Sequence, residues 1–305
     1  MIRQRTVLVL GAGASAPYGF PSGRKLRDDI IRDLSVGSTD LYKVVATSGS
    51  DGRQITNFRD ALQKSGQPSV DMFLEYRSEF LQIGKIAIAA ALIPYEKEST
   101  LWGGDDNWYE YLWQRLGPSL DEVKQSNLSV ITFNYDRSLD HFLFLALRHS
   151  YNIGTDKASR ILRDLIRIVH VHGKLGELPH NETGKGDSRG YRPSDSANLR
   201  DVAVAAAETI KIVHEGSSGD GEFVQARELL AQAQLIIFLG FGFLQRNVER
   251  LGITSLSTNI GLTGTAFGLL DGERDAVMKM IGHHSSLGKS SQGVLEVLRT
   301  HRLLV

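Results

Sequence analysis

The chain has 305 residues, 41 % of them hydrophobic and 23 % charged, which are ordinary values for a globular protein with a sizeable core. Its 35 basic side chains balance its 35 acidic ones, so net charge gives no general attraction to nucleic acid, and no direct nucleic-acid binding is expected. The same balance does little to oppose self-association, which makes a homo-oligomer plausible. The absence of cysteine excludes disulfides, a thiolate nucleophile and cysteine-ligated zinc.

The first residues lack the apolar segment and small-residue cleavage site of a signal peptide. The longest apolar stretch, Ile86 to Ile93, is far shorter than the roughly 20 residues that a membrane helix needs, and it predicts a buried helix. We therefore expect a cytoplasmic protein without a membrane segment.

Buried parallel strands are the first predicted elements. Continuous apolar runs rich in β-branched residues occupy positions 6–10, 128–133, 168–171 and 235–239, with a weaker run at 265–270. These runs are followed by Gly11, Asn134, His172, Gly240 and Asp271, respectively. Ligands of open parallel sheets bind beyond the carboxyl ends of the strands, so these residues are expected to converge on one crevice.

Helices are predicted between and after the strands. Residues 70–93 place apolar side chains on one helical stripe, and 198–214, 222–233 and 291–301 also have helical patterns. The segments 35–57 and 176–197 are predicted to be loops, the second with a mobile centre at 184–190. The aromatic cluster at 102–113 favours core packing over an aromatic binding site. The whole indicates one α/β domain over 1–305, Rossmann-like, with a parallel sheet, helices on both faces and a helical insertion at about 35–125.

A glycine loop follows the first strand, where residues 11–16 read Gly-Ala-Gly-Ala-Ser-Ala and satisfy G-x-G-x-x-G/A. Small residues let backbone N–H groups approach a pyrophosphate closely. A tight turn without a ligand would have the same sequence. Two features differ from a dehydrogenase: Pro17 and Pro21 prevent a long continuous helix, and no second strand ends in an acidic ribose ligand about 20 residues later. Asp28, Asp29 and Asp33 lie in a helical stretch, where a solvated face is the ordinary interpretation.

Two further sites follow later strands. In Thr132-Phe133-Asn134-Tyr135-Asp136, the side chains of Asn134 and Asp136 face the same side of an extended segment and can address one ligand, although an Asx turn or a helix cap before Ser138 is an equal alternative. His172-Gly173 ends the third strand, and Gly173 would allow a ligand close to His172, which makes His172 a better candidate than His170 within the apolar run. The pair His283-His284 has no such context.

The fourth site, Gly240-Phe241-Gly242-Phe243, comes directly after the strand at 235–239, and Asn247 follows it. Its glycines again permit backbone contact with a phosphate or a ribose, and a bare tight turn is the alternative.

Taken in order, Gly-Ala-Gly-x-Ser, Thr-x-Asn-x-Asp, His-Gly and a strand followed by Gly-x-Gly resemble the sirtuin pattern over about residues 6–270. With Pro-Tyr-Gly-Phe-Pro-Ser-Gly at 17–23, the chain is similar to the sirtuin-like NAD hydrolases of bacterial antiphage defence. Sirtuin deacylases carry a four-cysteine zinc ribbon, which this chain lacks, so protein deacylation becomes the alternative activity, and a non-catalytic NAD or ADP-ribose binding module is a further one.

The resemblance implies that NAD is the substrate, that no metal is needed, and that the products are nicotinamide and ADP-ribose. It assigns Asn134 to positioning the ribose and a reactive water, Asp136 to the nicotinamide amide, and His172 to accepting a proton. It implies NAD contacts at Gly11, Ala12, Gly13, Ser15, Pro21, Thr132, Gly240, Phe241 and Gly242. By the same analogy, a HerA-type ATPase or a short Argonaute would be a regulatory partner, because ungated NAD hydrolysis would kill the host. The preference between NAD and NADP, and the trigger, are left open.

Overall fold

Six parallel strands form one sheet in the part of the chain that the structure describes. The structure is a computed structural model that describes residues 1–181, 188–212, 221–282 and 285–304. The strands are β1 (Thr6–Leu10), β2 (Leu128–Thr132), β3 (Arg167–His170), β4 (Leu235–Leu239), β5 (Gly261–Gly264) and β6 (Ser285–Leu287). Their order across the sheet is β3-β2-β1-β4-β5-β6, and every neighbouring pair is parallel. This is the Rossmann-like α/β architecture, and the predicted fold class is confirmed.

Helices occupy the segments between and after the strands. Before β2 they are α1 (Ala12–Ser15), α2 (Gly23–Asp33), α3 (Asp40–Thr47), α4 (Gly52–Lys64), α5 (Val70–Tyr76), α6 (Leu81–Leu92), α7 (Trp108–Leu116) and α8 (Leu120–Lys124). After β2 they are α9 (Ser138–Tyr151), α10 (Thr155–Leu165), α11 (Leu199–Thr209), α12 (Gly221–Gln232), α13 (Gln245–Leu251), α14 (Asp271–Ile281) and α15 (Val294–Thr300). Within the described ranges, no helix has the length and hydropathy needed to cross a bilayer.

The two faces of the sheet bury two separate apolar clusters, because successive side chains of a strand point to opposite faces. Leu8 and Leu10 of β1 pack into a large cluster with α2–α7, α9–α11 and α15, whereas Val7 and Val9 pack into a smaller one with α12, α13 and α14. Strands covered on both faces need continuous apolar sequences, which is why the runs of β1, β2 and β4 were recognisable.

Several predicted boundaries are wrong. The segment 35–57, predicted as a loop, contains α3 and the beginning of α4, whose starts are capped by Thr39 and Asp51. The helical stripe at 70–93 is interrupted after Tyr76, where Arg77 leaves the helical conformation and a short 3₁₀ turn precedes α6. The fifth strand lies at Gly261–Gly264 instead of 265–270. The helix predicted at 198–214 ends at Thr209, where Ile210 takes an extended conformation. The predicted loop centre at 184–190, positions 213–214 and the pair His283-His284 lie partly or wholly outside the described residues.

The aromatic cluster at 102–113 is mainly core. Trp108 and Tyr109 are fully buried, and the ring of Tyr109 stacks on Tyr18 with 3.8 Å between centroids. The indole N–H of Trp108 donates to the carbonyl of Ala14 at 2.8 Å, so α7 supports the first loop after β1 from behind. This outcome agrees with the core-packing interpretation.

Candidate functional site

A cavity of about 380 Å³ lies at the carboxyl edge of the sheet. Residues that follow five strands line it, namely Gly11 after β1, Asn134 after β2, His172 after β3, Gly240 after β4 and Thr265 after β5. Four of these positions are the ones that the sequence predicted to converge. The fifth prediction, Asp271, begins α14 and is not among the lining residues, because the strand before it ends earlier than predicted.

The two glycine loops pack directly against each other. The N–H of Gly11 donates to the carbonyl of Leu239, and the N–H of Gly13 donates to that of Gly240, both at 3.0 Å. A Cβ atom at Gly11 would lie 2.5 Å from the carbonyl oxygen of Gly240, and one at Gly13 would lie 2.8 Å from its Cα. Gly11, Gly13 and Gly240 are therefore required by the packing of one loop on the other, in addition to any role towards a ligand.

Other N–H groups of these loops remain available to a ligand. Within the described residues, the backbone N–H groups of Ala12, Phe241 and Gly242 make no hydrogen bond, and all three residues line the cavity. A Cβ at Gly242 would meet no atom within 4 Å, so this glycine borders open space. The unpaired N–H groups beside the cavity are thus those of Ala12 and of the segment after Gly240, whereas the N–H groups of Gly11 and Gly13 are used between the loops.

A second cavity of about 80 Å³ adjoins the first. The two share the lining residues Ala12, Gly23, Asp71, Phe133 and Asn134. Phe20, Pro21, Ser15 and Asp136 contribute only to the smaller cavity. The segment that leaves the first loop, with its 3₁₀ turn at Ala16–Tyr18 and α2 beginning only at Gly23, therefore forms part of the wall of this cavity.

A hydrogen-bonded set of side chains joins the loops after β1 and β2. The Asn134 amide Nδ2 donates to the carbonyl of Gly11 and to Ser15 Oγ, both at 3.0 Å, and Ser15 Oγ donates to Asp136 Oδ2 at 2.7 Å. The Oδ1 atom of Asn134 has no protein partner within the described residues, so it is the part of this side chain that can accept a hydrogen bond from a ligand or a water. The predicted juxtaposition of Asn134 and Asp136 is present.

Asp136 is also tied to the start of α9. Its Oδ1 accepts hydrogen bonds from the backbone N–H of Ser138, at 3.1 Å, and from the Ser138 hydroxyl, which lies 2.7 Å from the hydroxyl of Tyr109. Burial raises the pKa of Asp136, and the hydrogen bonds from Ser138 and Ser15 oppose that rise. Asp136 therefore forms the Asx turn that was one of the alternatives, and the residue also lines the smaller cavity. One carboxylate oxygen accepts hydrogen bonds from Ser138 and the other accepts one from Ser15.

His172 occupies an aromatic environment at the edge of the larger cavity. The imidazole is 3 % exposed and packs edge-on against Phe133 and against Phe223 of α12, with centroids 5.4 and 6.0 Å away. Within the described part of the chain its Nδ1 atom has no hydrogen-bond partner. Burial lowers the pKa of His172, whereas the carboxylates of Asp71 and Glu75 partly offset this effect. A neutral imidazole at physiological pH is able to accept a proton.

His170 has a structural role instead. Its Nε2 lies 3.2 Å from the Asp140 carboxylate and its Nδ1 lies 3.3 Å from the carbonyl of Asn134. Although burial opposes it, the charge and hydrogen bond of His170 lower the pKa of Asp140 to about 2. This pair fastens β3 to α9 and to the backbone of the Asn134 loop, which agrees with the preference for His172 as the residue that faces the cavity.

A buried ion cluster connects the segment after β3 with the loop that follows β2. Glu96 and Arg137 are completely buried and paired at 2.6 Å, and Arg189 also contacts Glu96. Arg137 donates to the carbonyls of Glu177 at 3.1 Å and Arg189 at 2.9 Å. Because Arg137 directly follows Asp136, these bonds connect the site loop with the segment on either side of the residues that are not described.

Most sequence-predicted site residues line one of the two cavities. Thr132 is the exception, since its hydroxyl accepts the N–H of Asn134 at 3.1 Å and it lines neither cavity. The sequence analysis did not select several other lining residues, including Phe20, Ser22, Ser69, Asp71, Thr265 and Phe267. Phe20 could have been found from its position beside Pro21, but Asp71 lies on a helix of the segment between β1 and β2, where no motif marks it.

Comparison with known proteins does not assign the chain to a family. No protein-family model matches the sequence, and no curated protein matches it. Within the described residues, no group of three His, Asp or Glu side chains is placed to hold a metal ion. The fold and the geometry of the two cavities are therefore the basis for a functional proposal.

Proposed function

We propose that this chain is a sirtuin-like NAD hydrolase that cleaves the bond between nicotinamide and ribose. The observation that carries the proposal is the pair of adjoining cavities at the carboxyl edge of the sheet. One has unpaired backbone N–H groups at Ala12, Phe241 and Gly242, and the other contains the linked side chains Ser15, Asn134 and Asp136. This division suits a dinucleotide whose pyrophosphate needs N–H donors and whose nicotinamide needs a small, enclosed polar pocket.

In the proposed arrangement, the pyrophosphate binds over Ala12 and the segment 240–242, and nicotinamide enters the smaller cavity. Phe20 and Pro21 provide apolar contacts for its ring, and Asp136 faces its amide. The ribose that joins the two halves lies where the cavities meet, beside Asn134 and within reach of His172.

The proposed reaction adds water across one bond. The bond between ribose C1′ and the pyridinium nitrogen breaks, its electron pair stays on nitrogen, and nicotinamide leaves as a neutral molecule. The oxygen of a water molecule bonds to C1′, and its proton is released, so the products are ADP-ribose, nicotinamide and H⁺. Asn134 Oδ1 orients the water or a ribose hydroxyl, and neutral His172 accepts the proton.

The proposal includes control by assembly. By resemblance to defence-associated NAD hydrolases, a partner such as a HerA-type ATPase or a short Argonaute, or a homo-oligomer, would switch activity on. Size-exclusion chromatography of the purified chain combined with the activity assay tests whether activity follows the assembled fractions.

The direct test is incubation of the protein with NAD and quantification of nicotinamide by chromatography, with and without an acyl-lysine peptide. A hydrolase releases nicotinamide without the peptide, a deacylase needs it, and a binding module retains NAD without releasing nicotinamide. His172→Ala should lower the rate by about 10² to 10⁴-fold, the usual contribution of a general base. His149→Ala, at an exposed position of α9, is the matched control and should retain the wild-type rate. Wild-type turnover by His172→Ala would refute the assigned role.

A further inference from the structure

Asp71 lies where the two cavities meet. Its side chain, near the start of α5, lines both of them together with Ala12, Phe133 and Asn134. It is the one carboxylate that lines the larger cavity, as far as the described residues extend. The proposed function places the ribose next to nicotinamide at this junction.

Asp71 differs from its neighbour Glu75 in having no protein partner. One turn later on the same helix, Glu75 is buried and paired with Arg250 at 2.6 Å and with Arg246 at 3.1 Å. Asp71, by contrast, makes no hydrogen bond or ion pair with any described residue, and it is only partly buried. Glu75 thus fastens α5 to α13, and this attachment holds Asp71 at the junction with its acceptor oxygens unused.

A carboxylate at this position suits the sugar of the substrate. Two adjacent ribose hydroxyls can each donate to one carboxylate oxygen, and hydrogen bonds to a charged acceptor are stronger than those to a neutral one. When the bond to nicotinamide breaks, positive charge develops on the ribose ring, and a fixed negative charge beside the ring stabilises it. Asp71 would therefore hold the ribose in the ground state and contribute more in the transition state.

We infer that Asp71 binds the hydroxyl groups of the ribose next to nicotinamide and stabilises the charge that develops on that ribose. This inference rests on the proposed function, because that function places the ribose between the cavities. It adds to the site a catalytic residue from the helical segment between β1 and β2, which the glycine, Asn-x-Asp and His-Gly motifs do not include.

Calorimetric binding of ADP-ribose and ADP tests the contact without requiring turnover, since ADP lacks the second ribose. Asp71→Ala should weaken binding of ADP-ribose by about tenfold or more, which is the usual effect of losing a hydrogen bond to a charged group. Binding of ADP should stay within about twofold or become tighter, because removing a negative charge favours an anion. Asp156→Ala is the matched control, since Asp156 is the second residue of α10, as Asp71 is of α5, but is exposed and lines neither cavity. It should change neither affinity.

The rate provides a second readout. Asp71→Asn keeps the size of the side chain and removes its charge, so we expect kcat to fall by about 100-fold with a smaller change in KM. Equal loss of ADP and ADP-ribose affinity in Asp71→Ala, or wild-type behaviour of both variants, would overturn the inference and leave the hydrolase proposal standing. If the wild type released no nicotinamide but Asp71→Ala still weakened ADP-ribose binding selectively, the ribose contact would stand and hydrolysis by the chain without a partner would be wrong. Failure of the wild type to bind either nucleotide would refute both proposals.

Discussion

Replacing Gly240 with alanine tests whether the close packing of the two glycine loops contributes to the stability of the fold. Gly240 has φ of +57°, and a Cβ there would lie 2.0 Å from the backbone nitrogen of Ala14 and 2.2 Å from the carbonyl carbon of Gly13. Both contacts are with backbone atoms, which cannot rotate away as the end of a side chain can. The loops must separate to accept the methyl group.

The expected cost has three sources. The left-handed backbone conformation costs an alanine about 1–2 kcal/mol relative to glycine. Overpacking adds about 1–3 kcal/mol, and separation of the loops weakens the Gly13 N–H···Gly240 hydrogen bond, which contributes about 1 kcal/mol. We therefore expect Gly240→Ala to lower the free energy of unfolding by about 3 kcal/mol or more and the melting temperature by about 5 °C or more.

Gly242→Ala is the matched control two residues later. Its Cβ would meet no atom within 4 Å and Gly242 lines the larger cavity, so the free energy of unfolding should change by less than about 0.5 kcal/mol. The added methyl group occupies space beside a free N–H, and roughly tenfold weaker binding of ADP-ribose is expected there. Urea unfolding and calorimetric binding measure the two effects. Wild-type stability of Gly240→Ala, or a loss in Gly242→Ala as large as that in Gly240→Ala, would refute the packing explanation.

Three further predictions concern buried ionisable groups. Because burial lowers the pKa of His172, with Asp71 and Glu75 raising it in part and Arg250 opposing them, the low-pH midpoint of the proposed NAD cleavage should lie below pH 6.5, the ordinary value for a histidine. A midpoint above pH 6.5 would contradict this assignment. Burial lowers the pKa of His180 to about 4 in the folded protein, against about 6.5 when unfolded, so the unfolded state binds the proton more readily. The free energy of unfolding should therefore decline as pH falls from 6.5 towards 4, by at most about 2 kcal/mol between pH 7 and pH 5. Urea titrations at both pH values check this, and the decline should be shallower in His180→Phe. Glu96→Gln should lower the free energy of unfolding by about 3–5 kcal/mol, because it leaves Arg137 buried without its anion. The control Glu98→Gln, on the surface, should lower it by less than about 1 kcal/mol. Equal urea midpoints of the two variants would show that the cluster is not stabilising.

The sequence predicted the fold where burial leaves a local signature. Strands covered on both faces have to be apolar throughout, so β1, β2 and β4 stand out from their surroundings. The strand Gly261–Gly264 does not stand out, because it begins and ends with glycine and its first two residues are only partly buried. A Cβ at Gly264 would lie 2.4 Å from the carbonyl oxygen of Phe238, so this glycine is demanded by a neighbouring strand, which the local sequence does not reveal.

The site was predictable where its residues follow strands. Parallel topology brings the carboxyl ends of strands to one edge, and Asn134 and His172 were recognisable for that reason. Asp71 reaches the same cavity from a helix more than 60 residues after β1, and nothing in its immediate sequence distinguishes it from an exposed acidic residue in a first helical turn. The polar segment at 35–57 misled for a related reason. Thr39 and Asp51 are the caps of α3 and α4, and capping residues have the composition of loops.

Substitutions of Asn134 and His172 differ in how many structural hydrogen bonds they remove together with the proposed catalytic group. Both donors of the Asn134 amide are used to hold Gly11 and Ser15, so removing this side chain would release the glycine loop and the serine that contacts Asp136. Loss of activity in Asn134→Ala would therefore combine a change in loop position with the loss of Oδ1. The His172 ring contacts Phe133 and Phe223, and its Nδ1 has no hydrogen-bond partner among the described residues, so its removal leaves the bonds of Asn134 to Gly11 and Ser15 in place. For that reason, the rate of the proposed reaction in His172→Ala reports the loss of the imidazole more directly than the rate in Asn134→Ala reports the loss of Oδ1.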